Sequence, residues 1–240
     1  EFEPEHAAIH SLRGGLQTGR LLLGETGALD QVRVRNAGTE DALLLDGETL
    51  IGGAQNRMLN TAALIAPGRE QHIVSSCVEV HRWDIKNQED IPRNKRRFHR
   101  SAMAYGHLRR LRMQHAHRSL RADRLVQVDQ KSVWKDIVNR FGISGANTKT
   151  LDLHDLYDHW DAALRVMEPR FYIQKNQVGL ISFLDKRTWH IDLFRDHEML
   201  YEYFNPLVRA YAFDALIRLE SGTPPRGKAQ IQDARDIFKT

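Results

Sequence analysis

A single cysteine in 240 residues rules out an internal disulfide and a zinc site built from several thiolates. No apolar run approaches the roughly 18 residues that a membrane-crossing helix needs. The first residues, Glu1-Phe2-Glu3-Pro4-Glu5, are acidic where a secretory signal would be basic. The expectation is therefore a chain of a reducing compartment, the cytoplasm. Several motifs of nucleotide and hydrolase chemistry are also missing: the complete G-x-x-x-x-G-K-[S/T] phosphate loop, the dinucleotide G-x-G-x-x-G and the serine nucleophile elbow. Pairs at metal-ligand spacing exist, His6 with His10 and Glu198 with Glu202, and His115 sits near His117, but none finds a third ligand at motif spacing. No metal is expected, and no cofactor can be named.

What is present is an ordinary globular balance, 41% hydrophobic and 28% charged residues. The net charge of +4 conceals an asymmetry. Between Arg93 and Arg124 eleven Lys and Arg stand against the single acid Asp123, which leaves the rest of the chain net negative by six. Such a block is either a solvated helix face, with Met103, Leu108, Leu111 and Met113 as its apolar stripe, or a surface that docks an acidic protein or nucleic acid. No helix-turn-helix, zinc-finger or aromatic platform pattern accompanies the charge, so specific nucleic-acid recognition is the lesser of these readings.

Two textures follow one another along the chain. Segments 20–24, 31–36, 42–45, 49–52, 58–65 and 72–80 are short and β-rich, with turns at Asp46-Gly47 and Pro67-Gly68. Beyond Asp84 the apolar period lengthens and predicts helices over 101–121, 130–141, 153–166 and 198–219. These are interrupted by a short element at 171–173 and by a hairpin over 178–194 that turns at Asp185-Lys186. The expected fold is α+β: an N-terminal β-rich meander or sandwich, extended by the late hairpin, with helices of the second half packed against it. Residues 1–221 read as one domain, comprising the β-rich part 20–83, the basic helical segment 93–124, and the helices and hairpin of 125–221. Residues 222–240 follow a Gly- and Pro-rich stretch and read as a tail or short helix.

The chemistry concentrates between Gly47 and Trp83, where Glu48, Gln55, Asn56, Arg57, Asn60, Cys77, Glu79, Arg82 and Trp83 interrupt an otherwise apolar stretch. Each such group costs desolvation unless a partner satisfies it. Glu48 is either a turn carboxylate or a general base. Gln55-Asn56-Arg57 follows Gly52-Gly53-Ala54, whose small residues let a ligand approach the backbone. Two amides and a guanidinium there read sugar and phosphate, or else pin the loop from within. Cys77 and Glu79 share a face of their strand by alternation. A neighbouring carboxylate raises a thiol's pKa, so Cys77 is expected to be a buried structural cysteine unless Arg57 or Arg82 reverses the effect. Glu79 is the stronger candidate for chemistry, and Trp83 either stacks on a base or caps the core. His154, Asp155, Asp158 and His159 are expected to form an exposed polar helix face. His190 and Asp192 share a face of the hairpin and would reach the cluster if that hairpin joined the first sheet.

As a string, Asp46-Gly47-Glu48, Gly52 to Arg57, Leu59-Asn60-Thr61 and Ser76-Cys77-Val78-Glu79 before Arg82-Trp83 resemble the signature of the ARG and Rhodanese-Phosphatase-superfamily-associated protein domain, a bacterial family. The resemblance extends to Gln130-Lys131-Ser132-Val133-Trp134 and Tyr211-Ala212-Phe213-Asp214-Ala215. It departs from the family pattern at Val80-His81, where a Gln-Gly pair is more usual. The family's association with ADP-ribosylglycohydrolases and phosphatase-like proteins implies a role in processing ADP-ribose or NAD-derived nucleotides. On this expectation the chain is a hydrolytic enzyme: Glu48 and Glu79 do acid/base work, Arg57 and Arg82 hold phosphate, Gln55, Asn56 and Asn60 orient the sugar, Cys77 lies against the ligand site, and Trp83 stacks. The alternative is a non-catalytic ligand-binding or scaffold module whose basic 93–124 face docks an acidic partner.

Overall fold

Alternation of apolar and polar residues builds the first sheet. β3 (Gln31–Asn36) buries Val32 and Val34 and exposes Arg33 and Arg35. β2 (Leu21–Glu25) and β8 (Glu70–Cys77) flank it, with Leu23 opposite Val34 and Ile73 opposite Val32. β8 outruns β3, and its last residues pair instead with β6 (Arg57–Leu59), Cys77 opposite Arg57. β6 joins β5 (Glu48–Gly52), and β5 joins β9 (Phe98–Met103), which completes a six-stranded antiparallel order β2-β3-β8-β6-β5-β9. The computed structural model describes residues 8–28, 30–81, 98–123, 126–185 and 187–222, with the single positions 227, 234 and 237.

The two edge strands, β2 and β9, approach one another, and α1 (Leu12–Gln17) packs against both. The sheet therefore curls into a partly closed barrel around Leu12, Leu21, Leu23, Val32, Val34, Leu50, Leu59, Ile73 and Phe98. A small sheet closes one side: β1 (Ile9–Ser11) runs parallel to β4 (Asp41–Leu44), which pairs antiparallel with β7 (Ala63–Ile65).

A second core lies on the outer face of β6 and β8. Met58 and Val78 point away from the barrel interior and join Tyr105, Leu108, Val133, Ile137, Leu156 and Phe213. Tyr105 precedes α2 (Gly106–Asp123), and the others come from α2, α3 (Gln130–Ser144), α4 (Leu153–His159) and α6 (His197–Glu220), with α5 (Asp161–Met167) beside them. The rings of Tyr105 and Phe213 stack at 5.0 Å, a contact worth about 1 kcal/mol beyond its buried area. The architecture is α+β as expected. The late hairpin, β10 (Gly179–Leu184) with β11 (Arg187–Leu193), forms a two-stranded sheet packed on α6 and, among the described residues, pairs with no other strand.

Several boundaries differ from the sequence reading. Residues 98–103 are the edge strand β9, and α2 starts only at Gly106: ladder bonds to β5 override the helical period read from residue 101. The apolar run 58–65 is two strands in different sheets, divided at Asn60 and Thr61. The run 153–166 is broken at Trp160 into α4 and α5, and 171–173 has no regular structure. The basic segment is not wholly a solvated face. Arg109 and Arg112 are buried, Arg109 on Asp192 at 2.8 Å and Arg112 on Asp46 and the Asn60 carbonyl, while Arg100, Arg118 and Arg121 stay exposed. Met113 is also exposed rather than part of an apolar stripe. Residues 93–97 and Arg124 lie outside the described residues.

Candidate functional site

The barrel interior ends in polar side chains. On β2 the inward alternation Leu21, Leu23 continues to Glu25, and on β6 and β8 the register that faces Leu50 places Arg57 opposite Cys77. Arg57 Nη1 donates to Cys77 Sγ at 2.7 Å, and Nη2 lies 3.3 Å from Glu25 Oε2. The Cys77 thiol donates to Gln55 Oε1 at 2.9 Å, and the other Glu25 oxygen accepts from the Ala54 N–H at 2.9 Å. Gly53 makes this possible. Its φ is +67°, and a Cβ there would stand 2.6 Å from Glu25 Oε1 and 2.8 Å from Phe98 Cζ.

Gln130 of α3 clamps the same strand end, accepting from Cys77 N and donating to Cys77 O, both at 2.8 Å. Burial pushes the thiol pKa up; Arg57 opposes this, and Glu25 and Glu79 reinforce it. Cys77 is thus a protonated thiol whose S–H and lone pair are both engaged, which suits a structural member rather than a nucleophile.

A second network runs over the outer face. Asn56, at the end of the Gly52–Asn56 loop, accepts from Gly52 N through Oδ1 at 2.9 Å and donates to Asp152 Oδ2 at 2.6 Å. Asp152 caps α4 and holds His154 Nδ1 at 3.0 Å, and His154 Nε2 meets Thr49 Oγ1 at 2.9 Å. Glu79 Oε2 accepts weakly from Asn56 N at 3.5 Å, and Glu79 forms a β-bridge with Asp152. His154 is consequently buried and its ring fixed at both nitrogens, whereas the sequence placed it on an exposed face. Asp158 and His159 of the same helix are exposed as expected.

Glu48 belongs elsewhere. Its Oε2 accepts from Leu45 N at 2.7 Å, and burial drives its pKa up to about 8, against the opposing pull of that bond, of Arg109 and of the nearby Tyr203 hydroxyl. Counted along paired strands, Glu48 and Glu79 are four residue steps apart, about 13 Å in the strand direction, with β6 between their strands. Carboxylates that work on one glycosidic bond stand about 5–9.5 Å apart. Gln55, Asn56, Arg57, Cys77 and Glu79 are thus brought together, and Glu48 is held in a separate network. Asn60 is also buried, exchanging hydrogen bonds with Ser76 Oγ while its carbonyl accepts from Arg112 at 2.6 Å. Arg82 and Trp83 lie outside the described residues.

Four contributors were not read as site residues: Glu25, Thr49, Gln130 and Asp152. Gln130 stood in the Gln130-Lys131-Ser132 string of the resemblance, the one signal that marked it. His190 and Asp192 do not reach the cluster. His190 Nε2 bonds the Gly106 carbonyl at 2.8 Å, and Asp192 holds Arg109 and Tyr211.

No described helix is long and apolar enough to cross a membrane. No curated protein and no solved structure matches the chain significantly. A family model does: the ARG and Rhodanese-Phosphatase-superfamily-associated Protein domain matches residues 2–240, and the chain belongs to that family.

Proposed function

From that membership we propose that the chain is a cytoplasmic hydrolase of an ADP-ribose-like or other NAD-derived phosphorylated molecule, acting at the polar end of the barrel. The observation that carries this reading is the convergence of Arg57, Cys77, Gln55 and Glu25, with Asn56 and Glu79 adjoining, at one end of the barrel. Burying such charges costs several kcal/mol per ion, and apolar residues of similar volume commonly serve stability as well or better. A barrel selected for stability alone has no need of them, whereas a ligand with phosphates and hydroxyls does. The depth of burial of Arg57 and Glu79, 1% and 3% exposed, weighs instead for the second reading below. In this reading Glu79 is the acid/base carboxylate, Arg57 and Arg82 bind phosphate, Gln55, Asn56 and Asn60 orient the sugar, and Trp83 stacks on the base. Cys77 lies against the ligand site and fixes the Arg57 guanidinium. Glu48, protonated at neutral pH, serves as a second acid only if the ligand spans both networks. The ARG and rhodanese-phosphatase association in the family's name supports the substrate class.

The closed bonding of Arg57, Cys77, Gln55 and Glu25 favours a second reading, a non-catalytic module whose network fixes its loops. Its exposed Arg100, Arg118 and Arg121 would then face an acidic protein or nucleic acid.

Thermal unfolding with ADP-ribose, NAD and inorganic phosphate separates the two. A ligand at 100 times its dissociation constant stabilises by about 2.7 kcal/mol. Glu79→Gln is expected to keep that stabilisation and abolish turnover. Unchanged turnover removes Glu79 from the mechanism, and no stabilisation by any of the panel leaves the module reading.

A further inference from the structure

A cavity of about 540 Å³ opens between α1, β9, α4 and α6, lined by His154 but by none of Gln55, Asn56, Arg57, Cys77 and Glu79. Its volume falls within the range of small-molecule sites, about 300–1,000 Å³. Leu16, Met103 and Pro206 give it apolar walls, and His154, locked between Thr49 and Asp152, gives it a rigid one. Its arginines divide into two kinds. Arg209 is satisfied by Glu168 and by Asp161, at 2.5 and 2.7 Å. Arg13 of α1 and Arg100 of β9 are exposed and, among the described residues, make no hydrogen bond or ion pair. The lining carboxylate Asp158 is equally without a partner there.

Two uncommitted guanidiniums on two packed elements, facing one concavity, match the charge and the planar donor geometry that a phosphate dianion calls for. Of the two carboxylates in the lining, Glu168 is engaged by Arg209, and Asp158 is left to accept from a ligand hydroxyl. We propose that this cavity binds a phosphorylated sugar, with Arg13 and Arg100 on the phosphate and Asp158 on a sugar hydroxyl, as a site separate from the Arg57 cluster. Solvated surface arginines alone do not require a carboxylate and a fixed histidine in the same concavity.

The test is calorimetric titration of the full chain with ribose 5-phosphate and with inorganic phosphate. Ribose 5-phosphate is expected to bind saturably. The double variant Arg13→Ala, Arg100→Ala should weaken it by about tenfold or more, from the loss of charge-assisted contacts, with an unchanged melting temperature. Asp158→Asn should weaken ribose 5-phosphate and spare inorganic phosphate. Arg57→Lys should leave the Arg13- and Arg100-dependent binding of ribose 5-phosphate intact. Parent-like affinity in the double variant, or no saturable heat at millimolar ligand, overturns the proposal. Binding lost in Arg57→Lys and kept in the double variant assigns the ligand to the barrel cluster, leaving the proposed function standing and this site refuted.

Discussion

Arg109 lies across Gly47 so closely that a Cβ on the glycine would stand 2.6 Å from Arg109 Cγ and 3.1 Å from its Nε. Gly47 also has φ of +81°. From this position Arg109 reaches Tyr211 Oη at 2.7 Å and Asp192 at 2.8 Å, tying the first turn of α2 to α6 and the hairpin. Gly47→Ala should therefore destabilise by roughly 2 kcal/mol or more, from backbone strain and displacement of the guanidinium. In an Arg109→Ala background the same change should cost clearly less, because only the strain remains. Denaturant titration of the four proteins measures the coupling, and additive costs would show that the contact is unimportant.

Glu48 sets a pH dependence whose sign is fixed by its raised pKa, about 8 against 4.5. Between those values the folded chain holds a proton that the unfolded chain releases. Glu48's contribution is complete below about pH 4.5 and is lost as pH rises through about 8. Asp214, raised to about 6 by burial, acts in the same direction at lower pH, and His190, lowered to about 4 by burial, acts against it. Glu48→Gln isolates the first term. The stability difference between parent and variant should shrink or reverse from pH 6 to 9, and a difference independent of pH would show that Glu48 is ionised in the fold.

The Cys77 thiol should be inert to a disulfide exchange reagent at pH 7 until the chain unfolds, because it is buried, protonated and committed to Gln55. Cys77→Ser should retain most of the stability. Cys77→Ala should lose about 1–3 kcal/mol by leaving Arg57 and Gln55 each short of a contact. Rapid labelling of the native protein would contradict this account.

Asn56 is the link between the Gly52 turn, Asp152 and α4. Asn56→Ala leaves a buried carboxylate oxygen and an N–H without their partner, and a loss of about 2–3 kcal/mol is expected. The urea midpoint reads it directly, provided the slope is unchanged.

Strands such as Gln31–Asn36 were legible because one face is wet and one dry, which prints a period of two into the sequence. β6 was not, because both its faces are buried, so no alternation marks it, and the break at Asn60 and Thr61 carries no sign that the chain passes there from one sheet to another. β9 misled for the opposite reason. It is an edge strand whose His99 and Arg100 are exposed, so pairing with β5 rather than pattern defines it. Within the site, Gln55, Asn56, Arg57, Cys77 and Glu79 stood out as polar residues in an apolar stretch. Their partners did not: Glu25 precedes Arg57 by 32 positions, Gln130 follows Cys77 by 53, and Asp152 follows Asn56 by 96. Such pairs are set by tertiary packing, which leaves no local periodicity to read. His154 was misplaced for the same reason, since a histidine at a helix start looks solvated until Thr49 is known to lie against it.

The handover of β8 from β3 to β6 ties assembly of the barrel to competence of the cluster. A one-residue misalignment over Ser75–Cys77 would send the sulfur outward among the helices and drive Ser76 into the place opposite Arg57. A chain folded in that way could not keep its core and lose the cluster alone: the guanidinium would lose its sulfur acceptor at the same moment that Val78 left the helical core.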